Sequence, residues 1–143
     1  MSPLKAPAAD IAAFLDQKTA GATTLALASN LFIGKLPAQD RVSSHPCVAV
    51  RDTGGTQPTS YLGGHRTSLY RPTVQVTVRG PANDDAAGAL VAREIFAWLH
   101  QQVAAGYVTW LAREAQPAHI GTDRDQHGLW SFNLECIYKV SLD

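Results

Sequence analysis

Two stretches of this chain alternate strictly between apolar and polar residues. In PTVQVTVRG (Pro72 to Gly80), Val74, Val76 and Val78 share one side, and Thr73, Gln75, Thr77 and Arg79 share the other. From Leu129 to Val140, Trp130, Phe132, Leu134, Cys136, Tyr138 and Val140 separate from Ser131, Asn133, Glu135 and Lys139. A period of two places successive side chains on opposite faces, so both stretches predict half-buried strands. The segment between them follows a different period. Gly88, Ala92, Ile95, Phe96, Leu99 and Val103 fall on one arc at 100° per residue, which predicts a helix lying on the sheet. Asn83 or Asp84 can cap its start, Asp85 sits near the positive end of its dipole, and Gly106 offers a stop. Val91 and Trp98 widen the apolar arc, while Leu90 lies nearly opposite its centre.

The rest of the chain supplies fewer, shorter elements. Pro7 suits a first helical turn, Ile11, Phe14, Leu15 and Lys18 follow at helical spacing, and Gly21 offers an end. Asn30 to Leu36 reads as a strand broken by Pro37, and Cys47 to Arg51 (CVAVR) reads as a second strand after His45-Pro46. The stretch from Asp52 to Arg71 carries four glycines and many hydroxyls between two apolar strands, which predicts a long hairpin arm or a loose tip. A fourth strand is expected over Tyr107 to Arg113 and a fifth over Leu129 to Val140, with a turn between them. The pattern predicts one α+β domain over residues 1 to 143. It would have a mixed, mostly antiparallel four- to five-stranded sheet, two helices packed on one face, and an arm over residues 52 to 71.

A chain of 143 residues buries roughly two thirds of its unfolded surface, enough for a core without metal or disulfide. Twelve basic and twelve acidic residues cancel, so the basic excess of a protein that grips nucleic acid by its phosphates is missing. No apolar run approaches the roughly 20 residues of a membrane span, and MSPLKAPAAD lacks the apolar core of a signal peptide; a cytoplasmic protein is expected. Cys47 and Cys136 are too few for a disulfide scaffold, do not fit a metal motif, and are expected as free thiols.

Two motifs invite an enzymatic or metal reading. Asp52-Thr53-Gly54 follows an apolar strand, as does the triplet carrying the catalytic carboxylate of aspartic proteases, and a homodimer would supply the second acid. A tight turn asks for the same residues, and Arg51 and Gly55 depart from the protease pattern. Asp123, Asp125, His127 and Gly128 suggest a calcium loop, but the bidentate glutamate of an EF-hand would fall at Leu134, inside a strand. The plainer reading is a hairpin turn whose carboxylates cap its amides. His45, His65, His100 and His119 are scattered without metal spacing, and no nucleophile motif or P-loop occurs. No catalytic residue, cofactor or metal is assigned.

Five pieces in order, LFIGKLP, the strand entering RDTGG, PTVQVTVRG, the capped helix, and IGTD leading into WSFNLECIY, resemble the tail terminator proteins of long-tailed phages, in the group often labelled minor capsid proteins. The likeness spans residues 8 to 141. It implies a structural virion protein, assembled in the host cytoplasm, that forms a hexameric ring on the tail tube protein and stops tube growth. The ring would join the tail to a head-side connector or stopper protein while DNA passes through its lumen without specific binding. Another neck component, such as a head-closure or tail-completion protein, is the nearest alternative, and the aspartic-protease-like dimer is the alternative from another class.

A ring needs two different patches of one subunit that fit each other. The arm offers Tyr61, Arg66, Tyr70 and Arg71, residue types enriched at binding hot spots. Arg51, Arg79 and Arg124, read as lying at strand ends beside Asp52 and Asp123, complete the expected subunit or neck interface as charge partners.

Overall fold

The computed structural model describes residues 4–38, 45–60 and 67–141. Helix α1 (Pro7–Leu15) buries Ile11 and Leu15, with Pro7 in its first turn. It ends well before Gly21, because Gln17 adopts a positive φ of 71°. Gly21 instead turns the short pair β1 (Thr19–Ala20) and β2 (Thr23–Thr24). Strand β3 (Leu31–Ile33) is half the expected length; the chain leaves it at Gly34, with φ at 107°, rather than at Pro37.

There follow β4 (Cys47–Asp52), β5 (Thr56–Ser60), β6 (Thr67–Arg71) and β7 (Thr73–Ala82). Helix α2 (Asp85–Leu99) is capped by Asp84, whose carboxylate accepts from Ala87 N–H at 3.1 Å. It stops seven residues before Gly106. Gln101 takes a positive φ of 61° and donates its N–H to Trp110 O at 2.7 Å, so the coming strand draws the chain away, and Val103 is left exposed. The last strands are β8 (Thr109–Ala112), β9 (Ala118–Thr122), inside the stretch expected as a turn, and β10 (His127–Ser141).

The fold is α+β with a mostly antiparallel sheet. The sheet holds eight strands rather than four or five, yet it is five positions wide: β3, then β4 with β5, then β7 with β6, then β10, then β9 with β8. The difference arises because three of the expected strands are long runs interrupted along their length. β10 pairs with β7 up to Glu135↔Thr73 and continues with β6 from Tyr138↔Tyr70 in the same register, across Pro72. Among the described residues, only β3 runs parallel to its neighbouring strand, β4.

Both helices pack on the face that carries Val48, Val50, Val74, Val76, Val78, Phe132 and Leu134, as the alternation predicts. The opposite face is not simply solvated. Cys47, Ala49, Thr73, Arg79 and Ser131 are buried there, partly because the chain after β3 crosses it, where Pro37 O accepts from Arg79 Nη1 at 2.9 Å.

Phe132 is fully buried and meets Phe96 edge-on at 5.1 Å, but Phe96 itself is only partly buried. Phe132→Ala should therefore cost about 3–5 kcal/mol and Phe96→Ala clearly less. Gly88→Ala should also destabilise, despite the better helix propensity of alanine, because its Cβ would run into the Trp130 ring. Denaturant unfolding of the three variants checks the order; a Gly88→Ala protein more stable than the parent would mean that helix and sheet are not in this contact.

Candidate assembly surface

The expected interface residues fall into three places. The first is the junction of β4 with β5, where Gly54 and Gly55 take positive φ values of 91° and 98°. A Cβ on Gly55 would stand 2.8 Å from the Cα of Pro72 on the partner strand, so the crossing admits only glycine. Gly-Gly on one strand and Pro72 on the other thus mark the level at which the long hairpin changes register, and beyond it every residue of β5 is exposed. Thr53 and Thr73 hold the junction through hydroxyls 2.7 Å apart and the bond from Thr53 N–H to Thr73 O.

Asp52 does not turn the chain or pair with an arginine among the described residues. Its Oδ1 accepts from Ala8 N–H at 3.1 Å, in the first turn of α1, whose own cap position, Ala6, has no side-chain acceptor. The carboxylate therefore acts as a remote cap, facing the positive end of the helix. With Asp52 on α1 and Thr53 on Thr73, these contacts give the protease-like triplet a structural use.

Tyr70 stacks on Tyr138 with ring centroids 5.4 Å apart, and Tyr138 meets Tyr107 edge-on at 5.7 Å. Tyr107 donates to Asp10 Oδ2 at 2.6 Å; burial first, and then that carboxylate, push the phenol above its ordinary pKa. Tyr70 thereby fastens the base of β6 to the core. Arg71 is exposed. Tyr61 and Arg66, the other two expected arm contacts, lie outside the described residues.

The second place is the open face of the sheet. Arg51 Nη2 donates to Gln75 Oε1 at 2.6 Å, and Gln75 Nε2 donates to Ser131 Oγ at 3.2 Å, giving a polar rung across β4, β7 and β10. Glu114 extends this surface: its Oε1 accepts from Asn133 Nδ2 at 2.7 Å and its Oε2 from Asn133 N–H at 3.0 Å. It fills the gap between β8 and β9 and stands in for a strand partner of β10. Nothing in the local sequence marks Glu114, because its role depends on two strands that meet only in the fold.

Arg79 is not an exposed group at a strand end. It lies inside β7, only 7% exposed, with Nη1 bonded to Pro37 O, and its Nη2 has no hydrogen-bond partner among the described residues. The guanidinium lies beside Cys47. Burial raises the pKa of that thiol, and Arg79 offsets only part of the rise. Cys136, deep in the core, is pushed up to about 12, chiefly by burial and then by the nearby carboxylates of Asp52, Asp10 and Glu135. Both cysteines are free.

The third place is the turn between β9 and β10. Asp123 Oδ1 accepts from Asp125 N–H at 2.9 Å and from His127 N–H at 3.0 Å, and both carboxylate oxygens face His127 Nδ1 at 3.1 and 3.0 Å. Since a carboxylate only accepts, the imidazole carries its proton on Nδ1. Burial pulls the Asp123 pKa upward, but the bonds from His127 and Asp125 together outweigh it, and the carboxyl sits below its ordinary value. Asp123, Asp125 and His127 offer three ligand atoms within 4.8 Å of one another. With Asp123 already accepting from two amides and an imidazole, the arrangement is that of the carboxylate-capped turn. Arg124 is exposed at the tip. The seven expected residues that the structure describes therefore do not form one patch: Asp123 and Arg124 stand at the start of β10, Tyr70 and Arg71 near its end, and Arg79 inside the subunit.

Two outcomes follow from these contacts. Asp52→Ala should cost about 0.5–2 kcal/mol, as loss of a helix cap does, and leave the fold intact. For Asp123 the folded carboxyl titrates below the unfolded one, so its contribution is complete above the ordinary value of about 3.9 and is lost as pH falls through the folded pKa. Asp123→Asn should thus be less stable than the parent at pH 7, with the gap closing in acid. Unfolding curves at a series of pH values test this; a gap that stays constant from neutral pH to pH 3 would remove the carboxylate from the account.

A family model described as bacteriophage tail terminator protein matches residues 14–140. No curated protein matches the chain.

Proposed function

We propose, for a chain that belongs to the bacteriophage tail terminator family, that it assembles as a hexameric ring on the last ring of the tail tube. There it halts further growth and presents a docking surface to the head-side connector or stopper protein. The family is one of structural components of the virion tail, and this chain's chemistry fits that role: its distinctive polar residues cap helices, bridge strands and close turns. No helix among the described residues is long and apolar enough to cross a membrane.

The observation that carries the ring reading is the β5–β6 pair. It extends past the Gly54-Gly55 and Pro72 junction, and β5 is exposed along its whole length. An exposed strand pair is costly to leave unpartnered, since it offers a row of free backbone groups. We assign it to the subunit interface as an arm, with Tyr70 and Arg71 at its base, and assign Tyr61 and Arg66 to the same interface. The equal counts of acidic and basic residues favour a lumen through which DNA passes without being gripped. A different neck component built on the same domain is the second reading, and the exposed arm would serve it equally well.

The test is to shorten the arm. Joining Thr59 to Leu69 through an Asn-Gly turn keeps the Tyr70–Tyr138 stack and the pairing at the base. The shortened protein should melt within a few degrees of the parent, since the core and the stack that roots β6 on it are untouched. In infected cells that rely on it, tails should be overlong or unjoined to heads. Normal tail length and full infectivity would sink the ring reading; heads that fail to join tails of normal length would favour the other neck component.

A further inference from the structure

On the open face of the sheet, three cross-strand rungs of β4 and β7 lie side by side: Arg51↔Gln75, Ala49↔Thr77 and Cys47↔Arg79. Where the chain leaves β3, Gly34, Lys35 and Leu36 wall the first two of these rungs. With Arg51, Gln75 and Thr77 they bound a hollow of about 170 Å³. Clefts that take drug-sized molecules run from about 300 Å³ upward, so this one suits a compact group.

The charged groups around the hollow are cations. Lys35 is exposed and has no hydrogen bond or ion pair among the described residues. Arg51 uses one of its five N–H groups on Gln75 Oε1 at 2.6 Å, which orients the guanidinium and leaves the rest to donate elsewhere. Thr77 adds a hydroxyl. One rung further, about 7 Å along the strand, Arg79 is buried with Nη2 unpartnered and no carboxylate beside it among the described residues. The same segment covers both places, since Leu36 lines the hollow and Pro37 O accepts from Arg79. A guanidinium does not shed its proton, and a buried one is ordinarily matched by an anion.

The acids do not supply that match. Neither β4 nor β7 presents a carboxylate on this face, because Asp52 turns to α1 on the other side. Glu114 and Glu135 share the face but belong to its β10 side, two strands or roughly 10 Å from Arg51. Both oxygens of Glu114 are already bonded to Asn133.

We propose that this hollow binds a phosphate group, held by Lys35, Arg51 and the Thr77 hydroxyl, with the buried charge of Arg79 behind it. A phosphate dianion matches two exposed cations and a third beneath them better than the single charge of a carboxylate does, and its oxygens accept from several donors at once. Phosphate has two sources here: a free dianion, and the backbone of DNA, whose phosphates carry one charge each. The site goes beyond the ring reading and does not depend on it.

Equilibrium dialysis of the full chain against radiolabelled inorganic phosphate, at constant ionic strength, should show saturable binding of a single phosphate per chain. Lys35→Gln and Arg51→Gln should each weaken it about tenfold, the scale of one charge-assisted hydrogen bond. Arg93→Gln, which removes an exposed cation on α2, should leave it unchanged. Both altered side chains of the site are exposed, and circular dichroism verifies that the variants keep the fold. A short DNA duplex added as competitor separates the sources: displacement of the label supports a site for the DNA backbone, and its absence supports a site for the free anion. No saturable phosphate binding, undiminished binding by the Lys35 and Arg51 variants, or an equal loss in Arg93→Gln would overturn the site. A glutamate-rich peptide that displaces the label more effectively than unlabelled phosphate would also overturn it, in favour of a carboxylate-bearing partner.

Discussion

The seating of Trp130 in a cradle of glycines sets the geometry of the rest of the domain. A Cβ on Gly88 would collide with the indole and stand 3.0 Å from the Cα of Gly80; one on Gly128 would lie 2.5 Å from the same ring. Helix α2 can come this close to β7 because neither surface carries a side chain at the point of contact, and the indole fills the space that remains. Its burial contributes more area than any aliphatic residue could. The cradle also fixes the start of α2 beside the turn before β10, with Asp85 near Gly128.

Away from that contact the molecule is organised by interruptions. The core strands would run on as one continuous hairpin if Gly54, Gly55 and Pro72 did not break them at the same level. The break separates two regions with different environments: on one side valines covered by helices, on the other a polar strand pair tied down by the Tyr70–Tyr138 stack. Asp52 links the break to α1, capping the first turn of a helix that its own buried residues hold on the sheet.

Formal charge counted along the sequence is not the charge a folded surface offers. The buried Arg79 counts in the composition as a cation, but the contact its guanidinium makes with Pro37 O lies within the subunit.

Periodicity in the sequence was enough to determine the two long strands, the helix between them with a cap at Asn83 or Asp84, and most of the core they share, because burial on one face of a regular element leaves a period that needs no knowledge of the partner. The capped turn at Asp123 was also legible, since its bonds span only four residues. The order of pieces along the chain carried the family. Helix ends were misjudged for a physical reason: glycine marks where a helix is able to stop, whereas α1 and α2 stop earlier, at Gln17 and Gln101, where the chain turns away. The strand count, the burial of Arg79, the remote capping by Asp52 and the bridging role of Glu114 were settled only by tertiary structure. Each joins residues distant in sequence, and the free energy of such a contact depends on a register and a distance of approach that no local pattern encodes.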